Sequence, residues 1–267
     1  MGKRGRIAIL VLGTVALLYA GLVGFVGARQ EALIFHPVVL APDHRYSVAG
    51  LEEVTIPVEG AVLHARHLRL PNPKGVVFFL HGNGGNADSW ITGLDLYRRT
   101  NYDLFLLDYR GYGKSTGTIE SEEQLHKDVR AAWDSISARY AGMPNVIYGR
   151  SLGTGLAARL AVELQPALTI LVSPYFSLQA LGDEHYPFIP HAVLRYPLRT
   201  DLWLPKIASP VMLVHGTVDT LIAPSHSARL KPLAQRPELL MVEGAGHNDI
   251  HRFPAYFDTL VARLLGL

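Results

Sequence analysis

The chain has 267 residues, of which 49% are hydrophobic and 18% are charged. This composition supports a large buried core, in one α/β domain or two smaller ones, and excludes an intrinsically disordered protein. The absence of cysteine excludes a disulfide scaffold, a thiol nucleophile and a zinc ribbon. Outside residues 1–6 the chain has 22 basic and 23 acidic residues, so its charge does not favour a nucleic-acid partner.

The N-terminal 30 residues form a segment of their own. Residues 7–28 contain no charged side chain, and a helix of this length spans roughly 33 Å, enough to cross the ~30 Å hydrocarbon core of a bilayer. We therefore predict that residues 1–30 form an uncleaved transmembrane anchor and residues 31–267 the functional domain. The alternative is a signal peptide cleaved after the small residues 26–28. A buried core helix is disfavoured because the segment has no polar face.

Basic residues near the N-terminus predict the orientation of this anchor. Lys3, Arg4 and Arg6 precede the apolar segment, and Arg29 alone follows it. Cytoplasmic flanks of membrane helices carry the excess of lysine and arginine. The sequence therefore predicts a cytoplasmic N-terminus and an extracytoplasmic domain, which would be periplasmic in a bacterial cell.

Beyond residue 50, short apolar segments alternate with helical ones. Residues 52–70 are typical of an antiparallel hairpin with Gly60 at its turn. Six later segments have the pattern of buried parallel strands, at residues 75–82, 102–108, 145–151, 167–174, 211–216 and 238–244. Helices are predicted over residues 86–99, 121–140, 152–165 and 250–265. This alternation predicts an α/β fold with a mostly parallel central sheet and helices on both faces.

Residues 174–209 interrupt the alternation with a segment rich in proline and aromatic residues. It is far longer than the ordinary connection of about 2–6 residues, which favours a small cap insertion over a functional site. We expect Tyr175 and Phe176, with Tyr186 and Phe188, to line a substrate pocket. Ordinary packing of the cap against the sheet is the alternative.

The strongest chemical motif is Gly149-Arg150-Ser151-Leu152-Gly153, which lies between a predicted strand and a predicted helix. A strand–turn–helix of this kind is a nucleophile elbow, which exposes the serine hydroxyl at the N-terminus of the helix. The alternative is a glycine turn with a helix-capping serine. We predict that Ser151 is a nucleophile.

A serine hydroxyl needs a base to remove its proton. The chain has 12 histidines, so position must distinguish among them. His247 lies in a loop after the last predicted strand, and we predict that it is the base. His81 and His215 also follow strands, but each lies in a His-Gly pair where a turn residue can bond its own backbone.

The base in turn needs a carboxylate to orient it. Asp219 follows the predicted strand at 211–216, and the chain order serine, aspartate, histidine is that of α/β-hydrolases. Helix capping ahead of Pro224 is the alternative role for Asp219. Asp249 is a rival two residues after the base, and Asp108 ends another strand, where capping of the following glycine-rich turn is the simpler interpretation.

Residues 81–86, His-Gly-Asn-Gly-Gly-Asn, predict an oxyanion hole after the first parallel strand. The usual donors are the amide after the nucleophile, here Leu152, and an amide of this loop. We predict Asn83 as the second donor. A phosphate-binding loop is disfavoured, because neither the P-loop lysine nor the G-x-G-x-x-G spacing is present.

Six motifs in register resemble the α/β-hydrolase superfamily, and specifically its membrane-tethered group of Bem46-like proteins and α/β-hydrolase domain-containing proteins 13 and 17. The resemblance covers residues 33–265, and its motifs lie at residues 81–86, 108–117, 149–155, 173–178, 215–219 and 244–249. It implies an α/β-hydrolase fold, hydrolysis of an ester or thioester through an acyl-enzyme, a small cap, and neither a cofactor nor a metal. Type 17 relatives are tethered by lipidated cysteines, which this chain lacks.

The sequence therefore predicts a membrane-anchored serine hydrolase of carboxylic esters or thioesters, acting on small-molecule or lipid-like acyl substrates. Ser151, Asp219 and His247 form its predicted triad. A serine peptidase or amidase on the same fold is one alternative. A catalytically silent membrane-tethered binding protein is another, because fold alone does not establish function.

Overall fold

An eight-stranded sheet forms the centre of the protein in a computed structural model that describes residues 2–267. The strands of the chain are β1 (His36–Pro37), β2 (Leu51–Val58), β3 (Ala61–Leu68), β4 (Gly75–Leu80), β5 (Gly84–Gly85), β6 (Tyr102–Asp108), β7 (Asn145–Arg150), β8 (Leu168–Val172), β9 (Val211–Gly216) and β10 (Pro237–Val242). The sheet order is β10-β9-β8-β7-β4-β6-β3-β2, and β1 pairs with β5 in a separate two-stranded sheet.

The strand directions confirm the predicted fold. Strand β3 runs antiparallel to both of its neighbours, β2 and β6, whereas every other pair in the large sheet is parallel. The hairpin of β2 and β3 turns at Gly60, whose φ of +73° is a left-handed conformation that glycine adopts without strain. The carboxyl ends of β4, β7, β8, β9 and β10 meet at one edge, where open α/β sheets bind their ligands.

Helices cover both faces of the sheet, as predicted. The α-helices of the chain are α1 (Lys3–Ala28), α2 (Gln30–Ile34), α3 (Ala87–Trp90), α4 (Asp95–Thr100), α5 (Glu122–Ser137), α6 (Gly153–Leu164), α7 (Leu178–His185), α8 (Thr200–Trp203), α9 (Ser225–Leu230) and α10 (Pro254–Leu265). Helices α5 and α6 pack on one face, and α4 and α10 on the other. The apolar strands are therefore buried on both sides, which explains their continuous hydrophobic runs.

The helix predicted over residues 86–99 is in fact two short helices, α3 and α4. Asn86 caps α3 as expected, because its side-chain oxygen accepts a hydrogen bond from the Ser89 N–H. In return, the Ser89 hydroxyl oxygen accepts one from the Asn86 N–H. The break falls at residues 91–94, where Gly93 has a φ of +157°. The segment Ile-Thr-Gly has low helix propensity, so the apolar pattern there does not continue the helix.

The insertion at residues 174–209 lies between β8 and β9 and contains α7 and α8, together with two 3-10 turns at residues 191–193 and 204–206. It contacts the N-terminal segment directly. Gln30 is buried there, donating to Val193 O at 2.6 Å and accepting from the Arg195 N–H at 2.8 Å. Glu31 accepts from the Tyr196 hydroxyl at 2.6 Å.

Helix α1 has 26 residues, and none of them is buried. Within residues 2–267 it is the one helix long and apolar enough to cross a membrane. The division into an anchor at residues 1–30 and a domain at residues 31–267 agrees with this length and remains a prediction.

A buried polar chain joins β3 to β6 on the side of the sheet away from the strand ends described above. The Tyr140 hydroxyl donates to Asp103 Oδ2 at 2.6 Å and lies 2.7 Å from His67 Nε2. His67 is 4% exposed. Burial lowers the pKa of His67 to about 4, and the carboxylate of Asp103 only partly opposes this shift. The folded protein therefore holds His67 neutral.

Because His67 is buried, the stability of the folded protein decreases as the pH decreases. Between the unfolded pKa of 6.5 and the folded value of about 4, the unfolded chain binds a proton at His67 that the folded chain does not. We expect the free energy of unfolding to fall by on the order of 2–3 kcal/mol as pH drops from about 6.5 to about 4 through this residue. Denaturant unfolding of the full chain in detergent at several pH values measures the slope, which His67→Gln should flatten. The exposed-site control His36→Gln should keep the wild-type slope, and equal slopes in all three proteins would refute the assignment.

Candidate active site

Ser151 occupies a strained turn between β7 and α6. Its φ is +52°, a left-handed conformation that is costly for a residue with a Cβ. The turn is held by two backbone bonds, from the Ser151 N–H to Val172 O at 2.9 Å and from the Thr154 N–H to Ser151 O at 2.9 Å. The serine side chain therefore projects from the edge of the sheet at the N-terminus of a 12-residue helix.

Two glycines make this turn sterically feasible. A Cβ on Gly149 would lie 2.6 Å from both Ala157 Cβ and Gly153 O. A Cβ on Gly153 would lie 2.1 Å from Leu80 O, at the end of the neighbouring strand β4. Only a hydrogen fits at either position, so the spacing of the motif follows from the close approach of α6 to the strand ends.

The structure brings Ser151, His247 and Asp219 together from three separate strand ends. His247 Nε2 lies 3.0 Å from Ser151 Oγ, and His247 Nδ1 lies 2.8 Å from Asp219 Oδ2. The other carboxylate oxygen of Asp219 accepts the N–H groups of Leu221 and Ile222 at 3.0 and 2.9 Å. The carboxylate is thus fixed on one side by backbone and bonds the imidazole on the other.

The environment of Asp219 keeps it ionised. Burial acts to raise the pKa of this carboxyl, but the imidazoles of His215 and His247 and the Ile222 N–H outweigh it, so the pKa lies well below its usual value. His215 Nε2 lies 3.4 Å from Asp219 Oδ2. The result is a fixed negative charge beside His247 Nδ1, suited to stabilising an imidazolium.

Asn83 and Leu152, the predicted oxyanion donors, flank Ser151. Within residues 2–267 neither backbone N–H donates a hydrogen bond to another protein group. The loop lies against the serine, because a Cβ on Gly82 would be 3.4 Å from Ser151 Cβ. Both amides therefore remain candidate donors to a ligand oxygen.

Buried side chains hold the loop that carries the Asn83 amide. His81 Nδ1 lies 2.7 Å from Gly82 O, which fixes the peptide unit whose N–H belongs to Asn83. The hydroxyls of Tyr109 and Tyr112 donate to His81 O at 2.9 Å and to Asn83 O at 2.6 Å. Burial raises the pKa of both phenols above the usual range, so they remain donors.

The segment that follows α2 also supports this loop. Strand β1 pairs in parallel with β5, which lies within the loop. The His36 N–H donates to Asn83 O at 2.8 Å, and the Val38 N–H donates to Gly85 O at 2.9 Å. The chain that leaves the N-terminal helix is therefore part of the scaffold of the candidate site.

A cleft of about 450 Å³ opens over Ser151. Its lining includes two residues that sequence reasoning missed, Trp90 and Arg150. Arg150 is buried, lies over the Trp90 ring at 5.1 Å, and donates to His247 O at 3.2 Å. Arg150 falls inside the nucleophile motif, but nothing in the motif shows which way its side chain points.

The predicted pocket residues lie elsewhere. Tyr175 is 1% exposed and does not reach the cleft; its hydroxyl donates to Leu152 O at 2.8 Å and accepts from the Gly155 N–H at 3.2 Å, so it supports the turn. Phe176 packs against the core beneath the Arg229 guanidinium, which lies 4.1 Å from its ring centroid. Tyr186 and Phe188 are exposed, and the carbonyl of Phe188 accepts a hydrogen bond from Tyr19 in α1. The structure thus gives Tyr175 and Phe176 a packing role, which was the alternative to lining a substrate pocket.

The rival residues have other partners. Asp108 accepts the Ala87 N–H at 2.7 Å at the start of α3, rather than capping the turn that follows it. Asp249 accepts the Gly246 N–H at 2.8 Å within the His247 loop. His215 is buried between Ser227 Oγ and Ile222 O. Residues 2–267 contain no group of three or more side chains arranged to hold a metal ion.

The close approach of α6 to β4 at Gly153 predicts that a side chain at this position disturbs both the fold and Ser151. We expect Gly153→Ala to destabilise the protein by about 1–3 kcal/mol and to reduce reactivity at Ser151, because the new methyl collides with the backbone of β4. Thermal unfolding and serine labelling measure the two effects.

The matched control for this substitution is Gly182→Ala, in α7, where a Cβ meets nothing within 4 Å. It should be neutral or stabilising by about 0.5–1 kcal/mol, because alanine is the better helix former. A Gly153→Ala protein that unfolds at the wild-type temperature would contradict the steric argument.

Comparison with known proteins finds similarity over much of the chain. A family model described as "Serine aminopeptidase, S33" matches residues 71–200. Alpha/beta hydrolase domain-containing protein 17B of Xenopus tropicalis is 38% identical over 198 residues, which are 71% of this chain and 66% of that protein. The match thus spans just under two thirds of that relative. Protein 17C of the same organism is 35% identical over 231 residues, 82% of this chain and 72% of that protein.

Solved structures give the same fold. An esterase of Pyrococcus furiosus, Pf2001, superimposes with a TM-score of 0.68 at 19% identity, covering 87% of this chain and 97% of that one. Its identity is low enough that this likeness concerns the fold alone. The fold, the order of the motifs and the similarity to proteins 17B and 17C together show that the chain belongs to the α/β-hydrolase family, in the group of α/β-hydrolase domain-containing protein 17.

Proposed function

We propose that this hydrolase cleaves carboxylic esters or thioesters through a covalent acyl-serine intermediate. The observation that carries the proposal is the continuous hydrogen-bonded series from Ser151 Oγ through His247 to Asp219, with distances of 3.0 and 2.8 Å. Such a series lets the imidazole accept the serine proton while the carboxylate stabilises the resulting charge.

In the acylation step, Ser151 Oγ attacks the acyl carbonyl carbon and its proton passes to His247 Nε2. The carbonyl oxygen becomes an oxyanion, for which the N–H groups of Leu152 and Asn83 are the proposed donors. The intermediate collapses by breaking the bond to the leaving oxygen or sulfur, which takes the proton from His247 Nε2. The acyl group remains bound to Ser151 Oγ.

In the deacylation step, water takes the place of the departed alcohol or thiol. His247 Nε2 accepts a proton from this water as it attacks the acyl carbonyl, and the same two N–H groups bind the second oxyanion. Collapse breaks the bond to Ser151 Oγ, which recovers its proton from His247. The products are a carboxylic acid and the free enzyme.

A lipophilic acyl group is the proposed substrate. Most residues that line the cleft above Ser151 are polar or glycine, and Trp90 and Leu221 are the apolar side chains that a hydrocarbon chain would contact. Amide hydrolysis is the second candidate, because the matching family model is described as a serine aminopeptidase. The two differ in the leaving group, since an amine needs protonation by His247 more than a thiolate does.

We propose that α1 anchors the enzyme in a membrane with the N-terminus in the cytoplasm and the catalytic domain outside it. The length and apolar composition of α1 support this arrangement. The charges support the orientation, because three basic residues precede the apolar segment and Arg29 alone follows it.

A fluorophosphonate probe tests the triad, because it labels only an activated serine. We expect the wild-type chain to be labelled, Ser151→Ala and His247→Ala to remain unlabelled, and Asp219→Asn to react more slowly by on the order of 10⁴-fold. The matched control is Ser173→Ala. Ser173 follows the adjacent strand β8, is buried and has a similar φ of +49°, but lies outside the triad; its variant should label as the wild type does.

The outcomes separate the alternatives. A folded wild-type protein that remains unlabelled would refute the hydrolase mechanism and leave a silent binding protein. If labelling occurs, parallel assays with an acyl thioester, a p-nitrophenyl ester and a peptide amide identify the reaction. Turnover of the amide at a rate equal to or above that of the two activated substrates would replace the esterase proposal with the amidase one.

A further inference from the structure

The insertion contacts α1 from Gly27 back to Tyr19, and not only at the end of the helix. We define the insertion tip as residues 186–193. At its C-terminal end Val193 packs on Gly27, where an added Cβ would lie 2.9 Å from Val193 Cγ1. At its N-terminal end Phe188 O accepts a hydrogen bond from the Tyr19 hydroxyl at 2.9 Å. Tyr19 precedes Gly27 by eight residues, or about 12 Å along a helix.

This contact determines where the tip lies if α1 spans a bilayer. The uncharged segment at residues 7–28 has its midpoint near residue 18, and a hydrocarbon core of ~30 Å extends roughly 15 Å to each side of that point. Tyr19 lies close to the midpoint, on the side of the catalytic domain. We propose that the insertion tip enters the bilayer beside α1, in the leaflet next to the catalytic domain. This inference rests on the membrane anchor proposed above.

The side chains of the tip suit a lipid environment. Tyr186 is 60% exposed and Phe188 is 56% exposed, although both are large aromatic residues. The tip sequence, Tyr-Pro-Phe-Ile-Pro-His-Ala-Val, contains no carboxylate, lysine or arginine. Charged residues flank it instead, with Glu184 before it and Arg195 after it, where Arg195 Nη2 contacts Glu31 Oε2 at 2.7 Å. The polar boundary of the tip thus coincides with the end of α1.

Part of the tip's backbone is satisfied without water. In a bilayer each backbone N–H and C=O group needs a partner, because lipid tails supply none. Two of the eight residues are prolines, which have no N–H. The N–H groups of Tyr186, Ile189 and Val193 bond backbone carbonyls nearby. Those of Phe188, His191 and Ala192 have no protein partner within residues 2–267, so they need water or lipid headgroups at the membrane surface. The carbonyls of Phe188 and Val193 are bonded by side chains of α1 and α2.

The tip is connected to the cleft. His185 ends α7 directly before the tip, and its Nε2 lies 3.1 Å from the carbonyl of Leu221. Leu221 is half exposed and lines the cleft above Ser151. A tip seated in the leaflet would place this wall beside the bilayer surface. The substrates that fit are therefore acyl chains resident in that leaflet, which reach Ser151 without crossing bulk water.

The absence of cysteine allows a direct test. Single substitutions Phe188→Cys, Leu17→Cys and Met143→Cys in the full chain give unique sites for an environment-sensitive fluorophore. Leu17 is in the middle of α1 and 76% exposed, and Met143 is an exposed residue just before β7, at the opposite edge of the sheet from Ser151. Each labelled protein is reconstituted into dioleoylphosphatidylcholine vesicles. Quenching by aqueous iodide and by doxyl-labelled lipid is then measured.

We expect the labels at positions 188 and 17 to be quenched by doxyl lipid, with iodide quenching several-fold weaker than at position 143. A label at position 17 that doxyl lipid quenches, with a label at position 188 that iodide quenches as strongly as at position 143, would overturn the proposal while leaving the anchor intact. Strong iodide quenching at both positions 17 and 188 would refute the anchor itself, and the tip proposal with it. None of these readouts depends on catalytic activity, so they are separable from failure of the triad.

Discussion

The close approach of α6 to the ends of β4 and β7 is the constraint on which the site depends. At Gly153 a single methyl group would meet the carbonyl of Leu80, so the helix begins closer to the sheet than any side chain permits. That proximity forces the left-handed conformation at Ser151 and presents its hydroxyl at the sheet edge. The other groups are placed relative to this point by their own strands. Because these strands are parallel neighbours in the order β10-β9-β8-β7-β4, their carboxyl ends bring side chains close together that are 28 to 96 residues apart in sequence.

Much of this arrangement was predictable, because the signals are local. A buried parallel strand corresponds to a short apolar segment of sequence. The turn after it contains glycine where two backbone segments are in contact. Both of these sequence features were visible for β4, β7 and β9. The prediction that Ser151, Asp219 and His247 form a triad follows from their positions after strands and from their chain order. The kinked connection between α3 and α4 was predicted as one helix, because apolar spacing says little about where low-propensity residues such as Thr92 and Gly93 end a helix.

The insertion could not be predicted to the same degree. Tyr175 carries the same aromatic signal whether it lines a pocket or supports the backbone of the nucleophile turn, and only its burial and its bond to Leu152 O distinguish the two. Arg150 and Trp90 were missed for a related reason. Each contacts a residue distant in sequence, and the direction of a side chain depends on packing that a single sequence does not reveal.

The pairing of β1 with β5 has a consequence for processing of the N-terminus. Residues 36–38 act as an edge strand of the loop that carries Asn83, so this part of the chain is an integral piece of the catalytic domain rather than a tether. A signal peptidase cutting after residue 28 would release a domain that still contains this support. A protease cutting a few residues beyond Val38 would instead leave the triad intact but free one side of the loop. The position of the cut therefore decides the outcome. A cut before residues 36–38 releases the domain with its loop support, whereas a cut beyond them releases the domain and removes that support at the same time.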